Sequence, residues 1–424
     1  MRNRERMARF DTTMLRMESP TNRMIITGVL TLAGPVDVTQ FVLSLMDPFL
    51  SVRRFRQRVE LHDGRYWWCD DLDFDPARHF ERIRLPGPAG KAELVALVSE
   101  LASRPLDRTR PLWHIHIVDD YDAGIAVIIR IHHAIADGAA LMGILLSLAT
   151  GSAAEGLESP GVLPPSEAAG AIGTRLLRNR VRRAAGIAAE AARAAFRSRD
   201  SPSRFKGIAS IVKRAAWSEP LDLAEVRARA RALRCSGSAV LFAGVTGALR
   251  RYLEEKGDST VGTELRVIVP VNLRPPGAKH ALGNKLGFVT LLLPLGMDNP
   301  SARVREVHRR LSALKGSYQP AFALGSFNIL GHAPYIIQRI VLPWMSRSAT
   351  AIITMVPGPR GPLYLAGSHV KQAMFWAPVS ADLGMGLSIL ILNSEVTIGV
   401  MTHAALVPDP ERIVALLKDE FARA

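Results

Sequence analysis

Two adjacent histidines stand at the end of an apolar segment, in the sequence HHAIADG at residues 132–138. The residues just before them, GIAVIIRI, predict a buried strand. Successive side chains on a strand point to opposite faces, so His132 and His133 cannot both enter one cavity. The pattern therefore predicts one histidine that faces a cavity as a base and another that packs inward as support.

Imidazole suits this chemistry because its ordinary pKa of about 6.5 lets it accept a proton near neutral pH. Asp137 could orient a histidine ring or hold the loop through an arginine. Gly138 lacks a Cβ, which permits a tight turn and the close approach of a ligand. A pair of buried structural histidines before a turn is the alternative. No metal site is expected, because alternation separates the histidines and no ligand spacing of the H-E-x-x-H kind accompanies them.

Other catalytic signatures are missing from the sequence. It contains no G-x-S-x-G elbow, no G-x-x-x-x-G-K-[ST] loop and no G-x-G-x-x-G. Hydrolase, ATPase and dinucleotide-binding functions therefore lose support. A histidine base without an enzyme nucleophile suits direct transfer between two bound substrates, and no cofactor is predicted.

Strand-like and helix-like segments surround the motif and must position it. Strand patterns cover 23–34, 123–133, 264–273, 284–295 and 383–401, and helix patterns cover 91–105, 218–233 and 301–315. This mixture predicts an α/β or α+β fold, used once in each half of the chain. The apolar segment 141–150 is either a core helix or the wall of an acyl-chain tunnel.

The chain divides into an N-terminal domain over 1–150, a linker and basic helical connector over 151–217, and a C-terminal domain over 218–424. Of 424 residues, 54 are Lys or Arg and 39 are Asp or Glu, a net charge of +15. Between 171 and 217 there are twelve basic and two acidic residues, so this stretch carries +10 of that charge. The alanine-rich connector is either a helix on an anionic membrane surface or a solvated linker helix. No nucleic-acid partner is expected, because no nucleic-acid module and few aromatic residues accompany the charges.

The sequence also bears on location. Cys69 and Cys235 are too few for a disulfide framework and show no zinc spacing, which favours a reducing compartment. Neither a signal peptide nor a membrane-spanning stretch of roughly 20 apolar residues is evident. We therefore expect a cytoplasmic protein with peripheral contact to the inner membrane or to lipid droplets.

The motif resembles the HHxxxDG signature of acyltransferases with the chloramphenicol-acetyltransferase-like fold. Its neighbours resemble the bacterial wax ester synthase/diacylglycerol acyltransferase family. The matching segments, in family order, are FDTTMLRMESPTNRMIITGVLTL, RRFRQRV, YWW, RPLDRTRPLWHIHIV, VPVNLRPPG, LGNKLGF, VPGPRGPLYLAG and VPDP. The resemblance spans nearly the whole chain except the connector. It implies two chloramphenicol-acetyltransferase-like domains, each a mixed β-sheet with helices, joined by a helical connector.

The resemblance also implies an activity. His133 would be the general base that deprotonates a fatty alcohol or diacylglycerol, whose oxygen attacks the thioester of acyl-CoA without a covalent acyl-enzyme. His132, Asp137 and Gly138 would support the motif. Arg274 is the candidate partner of Asp137, and the remaining supporting candidates are Asn272 and Ser238. The expected partners are acyl-CoA, a lipid alcohol and an anionic membrane or lipid droplet surface.

Two adjacent positions depart from the family. Its Asn-Asp pair, on the helix that begins the C-terminal half, aligns with Ser238 and Ala239. Alanine cannot replace the hydrogen bonds of an aspartate, whereas serine could still donate one toward the intermediate. The departure keeps open an acyltransferase of the same fold that uses another hydroxyl or amine acceptor, or a carrier-bound acyl donor. An inert descendant that only binds lipid or protein is a third hypothesis, which the intact HHAIADG motif disfavours.

Overall fold

The computed structural model describes residues 4–150, 190, 200–274, 283–315, 317–330, 333, 348–379 and 383–423. Apart from residue 190, the segment 151–199 lies outside the described residues. The predicted connector helix falls within that segment and stays a prediction.

Helices and strands are numbered here in chain order. The helices are α1 (Arg9–Arg16), α2 (Val38–Ser51), α3 (Lys91–Ser103), α4 (Gly138–Leu148), α5 (Leu223–Ala232), α6 (Gly237–Glu255), α7 (Pro300–Leu314), α8 (Gln319–Leu330) and α9 (Pro410–Arg423), with short 3-10 helices at Arg53–Arg56 and Pro76–His79. The strands of the first half are β1 (Arg4–Arg6), β2 (Ile25–Ala33), β3 (Gln57–His62), β4 (Arg65–Asp70), β5 (Phe80–Arg84), β6 (Trp113–Tyr121), β7 (Gly124–His132) and β8 (Ala149–Thr150). Those of the second half are β9 (Lys213–Trp217), β10 (Leu221–Asp222), β11 (Glu264–Asn272), β12 (Leu286–Pro294), β13 (Ala351–Pro357), β14 (Tyr364–Leu365), β15 (Ser368–Trp376), β16 (Met385–Leu392) and β17 (Glu395–His403).

Two large mixed sheets organise the described chain. The first has the order β5-β6-β7-β2-β15-β14-β8, and the second has the order β10-β17-β16-β13-β11-β12 with β9 paired to β17. A small sheet, β1-β4-β3, accompanies them. Most neighbours are antiparallel, while β5 runs parallel to β6 and β13 runs parallel to both β11 and β16. The predicted α/β fold with two sheet-rich parts is confirmed.

The two sheets do not follow the predicted ranges 1–150 and 218–424. Strands β14 and β15 come from the second half but extend the first sheet, where β15 pairs with β2. Strand β9, which ends at Trp217, belongs to the second sheet. Each sheet therefore includes a strand from outside its predicted range. Whether the ranges 1–150 and 218–424 are folding units stays a prediction.

Local sequence explains the boundaries that differ from prediction. The segment 383–401 forms two strands, because Asn393 and Ser394 adopt φ angles of 51° and 62° and close a hairpin between β16 and β17. Helix α5 begins after Asp222, whose carboxylate accepts the backbone N–H of Ala224 as a cap. The segment 141–150 is helical only to Leu148, since residues 149 and 150 pair with β14.

Apolar side chains form two cores. The first contains the buried face of α4, including Met142, Leu145 and Leu146, which supports the core-helix interpretation of this segment. The second surrounds α6. Within the described residues, no single helix is both long and apolar enough to cross a membrane; α5 and α6 meet those criteria only as a pair bent by 99°.

A buried ion pair joins loops from the two sheets. Asp137 follows β7, Arg274 follows β11, and the nearest oxygen–nitrogen distance between their side chains is 2.6 Å. Both side chains are almost completely buried. The backbones of the two loops also pair, because Ala136 forms a parallel β-bridge with Gly283. The pair therefore fixes residues 273–274 and 283–285, the described ends of the β11–β12 connection, against the loop between β7 and α4.

Breaking this pair on one side should be strongly destabilising. Asp137→Asn keeps a helix-capping side chain but leaves the guanidinium of Arg274 unpaired, and Arg274→Met leaves the carboxylate unpaired. Each should lower the free energy of unfolding by about 3–5 kcal/mol, since each leaves an uncompensated buried charge. The double variant should lose less than the sum of the two. Urea unfolding of the four proteins measures the coupling, and additive losses would contradict a direct pair.

Candidate active site

The two histidines occupy the end of β7, beside the edge where the second sheet approaches. His132 is the last residue of β7 and pairs in register with Ile25 of β2. The next residue, His133, donates its backbone N–H to the carbonyl of Met24 at 2.7 Å. The strand therefore presents the two rings to different surroundings.

Asn284 holds the ring of His133. The Nδ1 atom of His133 lies 3.0 Å from Oδ1 of Asn284. On its other side, the Nδ2 amide of Asn284 donates to the carboxylate Oδ1 of Asp11 and to the backbone carbonyl of His133, both at 2.8 Å. A carboxylate and a carbonyl only accept hydrogen bonds, so these partners fix which end of the amide is nitrogen.

This orientation fixes the tautomer of His133. Since Oδ1 of Asn284 is an acceptor, Nδ1 of His133 must carry the proton that is donated to it. In the neutral ring, Nε2 then has the free electron pair. A general base needs that free electron pair. The hydrogen bond that keeps it on Nε2 is made by Nδ1, on the opposite side of the ring.

Burial also favours the neutral ring. His133 is half-buried, and removal from water lowers the pKa of its imidazole, despite the nearby negative charge of Asp137. At neutral pH the ring is therefore unprotonated at Nε2 and able to accept a proton.

His132 has the opposite arrangement. Its Nδ1 accepts the backbone N–H of Ala134 at 3.0 Å, so the proton of the neutral ring lies on Nε2. That Nε2 points toward the carboxylate of Glu18, 3.6 Å away. Glu18 also receives the guanidinium of Arg108 at 2.9 Å. His132 is buried, which lowers its pKa, and its ring serves to hold the strand end in place.

Asp137 links the motif to the segment that carries Asn284. Its carboxylate accepts the backbone N–H of Ala140 at 3.0 Å, capping α4, and that of Lys285 at 3.1 Å. Arg274 bridges to the same segment by donating from Nη2 to the carbonyl of Gly283 at 2.5 Å. Gly283 has a φ of 91°, a left-handed conformation that favours glycine. The ion pair thus positions both residues that flank Asn284.

The other predicted site residues have weaker connections to His133. Asn272 accepts the backbone N–H of Arg274 at 3.0 Å and so braces the arginine. Ser238 is buried near the start of α6. Gly138 is the first residue of α4, and a Cβ there would meet only Val356, at an ordinary 3.7 Å. The supporting role of Gly138 stays a prediction.

Asn284, Asp11 and Glu18 are site residues to which the sequence interpretation gave no role. All three lie in segments that carry the family resemblance. Asp11 could have been noticed as an acidic residue in an amphipathic helix next to buried Phe10. For Asn284 the local signal is its place after a glycine, two residues before a strand.

No metal-ligand cluster includes the HHAIADG residues in the part of the chain that the structure describes. Suitable ligand atoms approach one another in two other groups, Glu60 with His62 and Cys69, and Glu81 with His114 and His116. In the second group, Nδ1 of His116 already lies 2.9 Å from the carboxylate of Glu81.

Comparison with solved structures places this geometry in a known fold. The wax ester synthase/diacylglycerol acyltransferase from Marinobacter aquaeolei superposes with a TM-score of 0.72 at 20% identity, over 99% of this chain and 98% of that one. The first condensation domain of the calcium-dependent antibiotic synthetase superposes with a TM-score of 0.65 at 14% identity, over 99% and 96% of the two chains. These similarities show a shared two-domain condensation and acyltransferase fold.

Sequence comparison identifies the family. A probable diacylglycerol O-acyltransferase of Mycobacterium tuberculosis is 28% identical over 425 residues, covering 94% of this chain and 91% of the relative. The model of the wax ester synthase/diacylglycerol acyltransferase catalytic domain matches residues 7–240. The model of the family's C-terminal domain matches residues 282–423. This chain therefore belongs to the wax ester synthase/diacylglycerol acyltransferase family.

Proposed function

We propose that this acyltransferase moves a long-chain acyl group from acyl-CoA to the hydroxyl of a fatty alcohol or diacylglycerol, with His133 as the general base. The family supports the reaction class. The observation that carries the mechanism is the hydrogen bond from Nδ1 of His133 to Asn284, because it leaves Nε2 as the basic nitrogen.

The reaction needs one base and two bound substrates. Nε2 of His133 takes the hydroxyl proton as the alcohol oxygen forms a bond to the thioester carbon. The tetrahedral intermediate then collapses, the C–S bond breaks, and the leaving sulfur takes the proton from the imidazolium to give free CoA. Proximity of the two substrates provides most of the rate, and no cofactor or acyl-enzyme takes part.

The remaining motif residues act by holding this base. His132 fastens the end of β7 through Ala134 and Glu18. Asp137, with Arg274 braced by Asn272, fixes the segment that carries Asn284. We assign Gly138 to the turn that presents the motif and to the close approach of a substrate, because its missing Cβ exposes the backbone at the start of α4.

A second candidate function uses the same base with another acceptor. Ala239, at one position of the family's Asn-Asp pair, is buried and has no side-chain donor, and Ser238 beside it is the remaining polar group. The same base chemistry would serve an amine acceptor or a carrier-bound acyl donor. A panel of fatty alcohols, diacylglycerols, short alcohols and amines, offered with palmitoyl-CoA, separates the two candidates by product.

We assign contact with an anionic lipid surface to the loop 206–212. Ile208 is 90% exposed, and Ile211 and Val212 are each 49% exposed. The loop is nevertheless well fixed, since Phe205 beneath it is buried and Ser210 hydrogen-bonds to both Val212 and the segment after β17. Exposed Arg214 follows the loop, and the arginine-rich stretch 175–199 of the connector precedes it in the sequence. Aliphatic side chains beside cationic ones are the combination that inserts into anionic bilayer surfaces.

Removing the base should abolish turnover. We expect His133→Ala to release no CoA from palmitoyl-CoA with any acceptor, a loss of about 100-fold or more, while retaining the wild-type circular dichroism and unfolding midpoint. His62→Ala removes an exposed imidazole on β3 and serves as the matched control, with full activity expected. Undiminished turnover in His133→Ala would refute the mechanism.

The pH profile should show the lowered pKa of His133. A base works unprotonated, so kcat/KM should stay at its plateau down to pH values below the ordinary pKa of about 6.5 and then fall as the ring is protonated. Burial raises the pKa of Asp11 to about 6, which places its titration in the same range. The profile is therefore repeated with Asp11→Asn, which should keep an acid limb. An acid limb of kcat/KM with its midpoint at or above pH 7, ~half a unit above the ordinary histidine pKa, would contradict a lowered pKa of His133.

Vesicle flotation tests the loop 206–212. The variant with Ile208→Asp and Ile211→Asp should bind anionic vesicles of phosphatidylcholine and phosphatidylglycerol markedly less than the wild type. Val261→Asp alters a side chain that is 89% exposed elsewhere and should bind normally. Wild-type binding to neutral phosphatidylcholine vesicles should be weaker and less sensitive to salt. Equal flotation of all proteins on both vesicles would exclude this docking surface.

A further inference from the structure

Asp11 is a buried carboxylate that reaches the catalytic base through one intermediate side chain. It lies on α1 with 6% of its surface exposed. Its Oδ1 accepts Nδ2 of Asn284 at 2.8 Å, and Oδ1 of the same amide contacts Nδ1 of His133 at 3.0 Å. Helix α1 is itself anchored, because the hydroxyl of Thr13 hydrogen-bonds to the carbonyl of Phe327.

Keeping a carboxylate in this place costs stability. Burial raises the pKa of Asp11 from 3.8 to about 6, although Asn284 and the charge of Arg54 oppose the shift; the charge of Asp137 adds to it. A carboxyl group with a raised pKa weakens the folded state once the pH exceeds its unfolded value, because the native protein then holds a proton more tightly than the unfolded chain. A residue that only filled space would be better uncharged.

The amide of Asn284 explains what the carboxylate does. With Asp11 in place, both amide hydrogens have acceptors, so Oδ1 must face His133. Without Asp11, only the backbone carbonyl of His133 still opposes a 180° flip of the amide, and that flip turns Nδ2 toward Nδ1 of His133. A donor in that place favours the tautomer with the proton on Nε2, and this tautomer cannot accept the proton of an alcohol.

We propose that Asp11 is a positioning residue for acyl transfer, which locks the amide of Asn284 so that Nε2 of His133 remains the basic nitrogen. This role rests on the proposed function of His133. Asp11 does not touch the reacting atoms and acts through Asn284.

Steady-state kinetics with palmitoyl-CoA and a long-chain alcohol separates positioning from structure. Asp11→Ala should lower kcat by about tenfold to a hundredfold with little change in KM for either substrate, the size expected when a supporting shell is lost. Asp11→Asn should retain most of the kcat, because its amide oxygen can still accept Nδ2 of Asn284. If the alanine variant folds poorly, Asp11→Leu removes the acceptor while filling the volume.

Stability provides an independent readout. At pH 8, Asp11→Asn should unfold at the same denaturant concentration as the wild type or at a higher one, because it removes a buried charge. Asp47→Asn removes an exposed carboxylate from α2 and is the matched control, which should change neither kcat nor the denaturant midpoint.

The outcomes distinguish the two proposals. Wild-type kcat in Asp11→Ala, next to an inactive His133→Ala, would overturn the positioning role and leave the base intact. A raised KM with unchanged kcat would also overturn it, since that result assigns Asp11 to substrate binding. Turnover in His133→Ala would overturn the base itself and, with it, the role of Asp11.

Discussion

The amide of Asn284 is the group on which the rest of the site depends. Two acceptors, Asp11 and the backbone carbonyl of His133, take its hydrogens, and the oxygen left over determines where the proton of the imidazole lies. Buried polar networks of this kind specify one arrangement when every member is satisfied. The chemistry at Nε2 is therefore decided by hydrogen bonds on the far side of the ring.

The amide of Asn284 can orient His133 only if the two sheets are held in one relative position. His133 follows a strand of the first sheet, and Asn284 lies two residues before a strand of the second. Asp137 and Arg274 fix the approach, since their buried charges can be satisfied only when the two loops meet. The exchange of β15 into the first sheet ties the same two parts together at another point.

The sequence predicted the parts of this site that local patterns determine. Strand alternation separated the roles of His132 and His133, and the family segment VNLRP indicated Arg274 as the partner of Asp137. Asn284 and Asp11 were missed because their contacts join residues 151 and 273 positions apart. Neither periodicity nor spacing carries such information. The transfer of β14 and β15 to the first sheet was missed for the same reason, since a strand pattern does not name its neighbours.

The most direct test of the account is the protonation of His133 in the resting enzyme. Nitrogen-15 NMR of histidine-labelled protein at neutral pH, with His133 assigned by comparison with His133→Gln, distinguishes a protonated ring nitrogen from an unprotonated one. We predict a neutral ring with its proton on Nδ1 and a free electron pair on Nε2. A proton on Nε2, or a ring that stays charged at neutral pH, would contradict it.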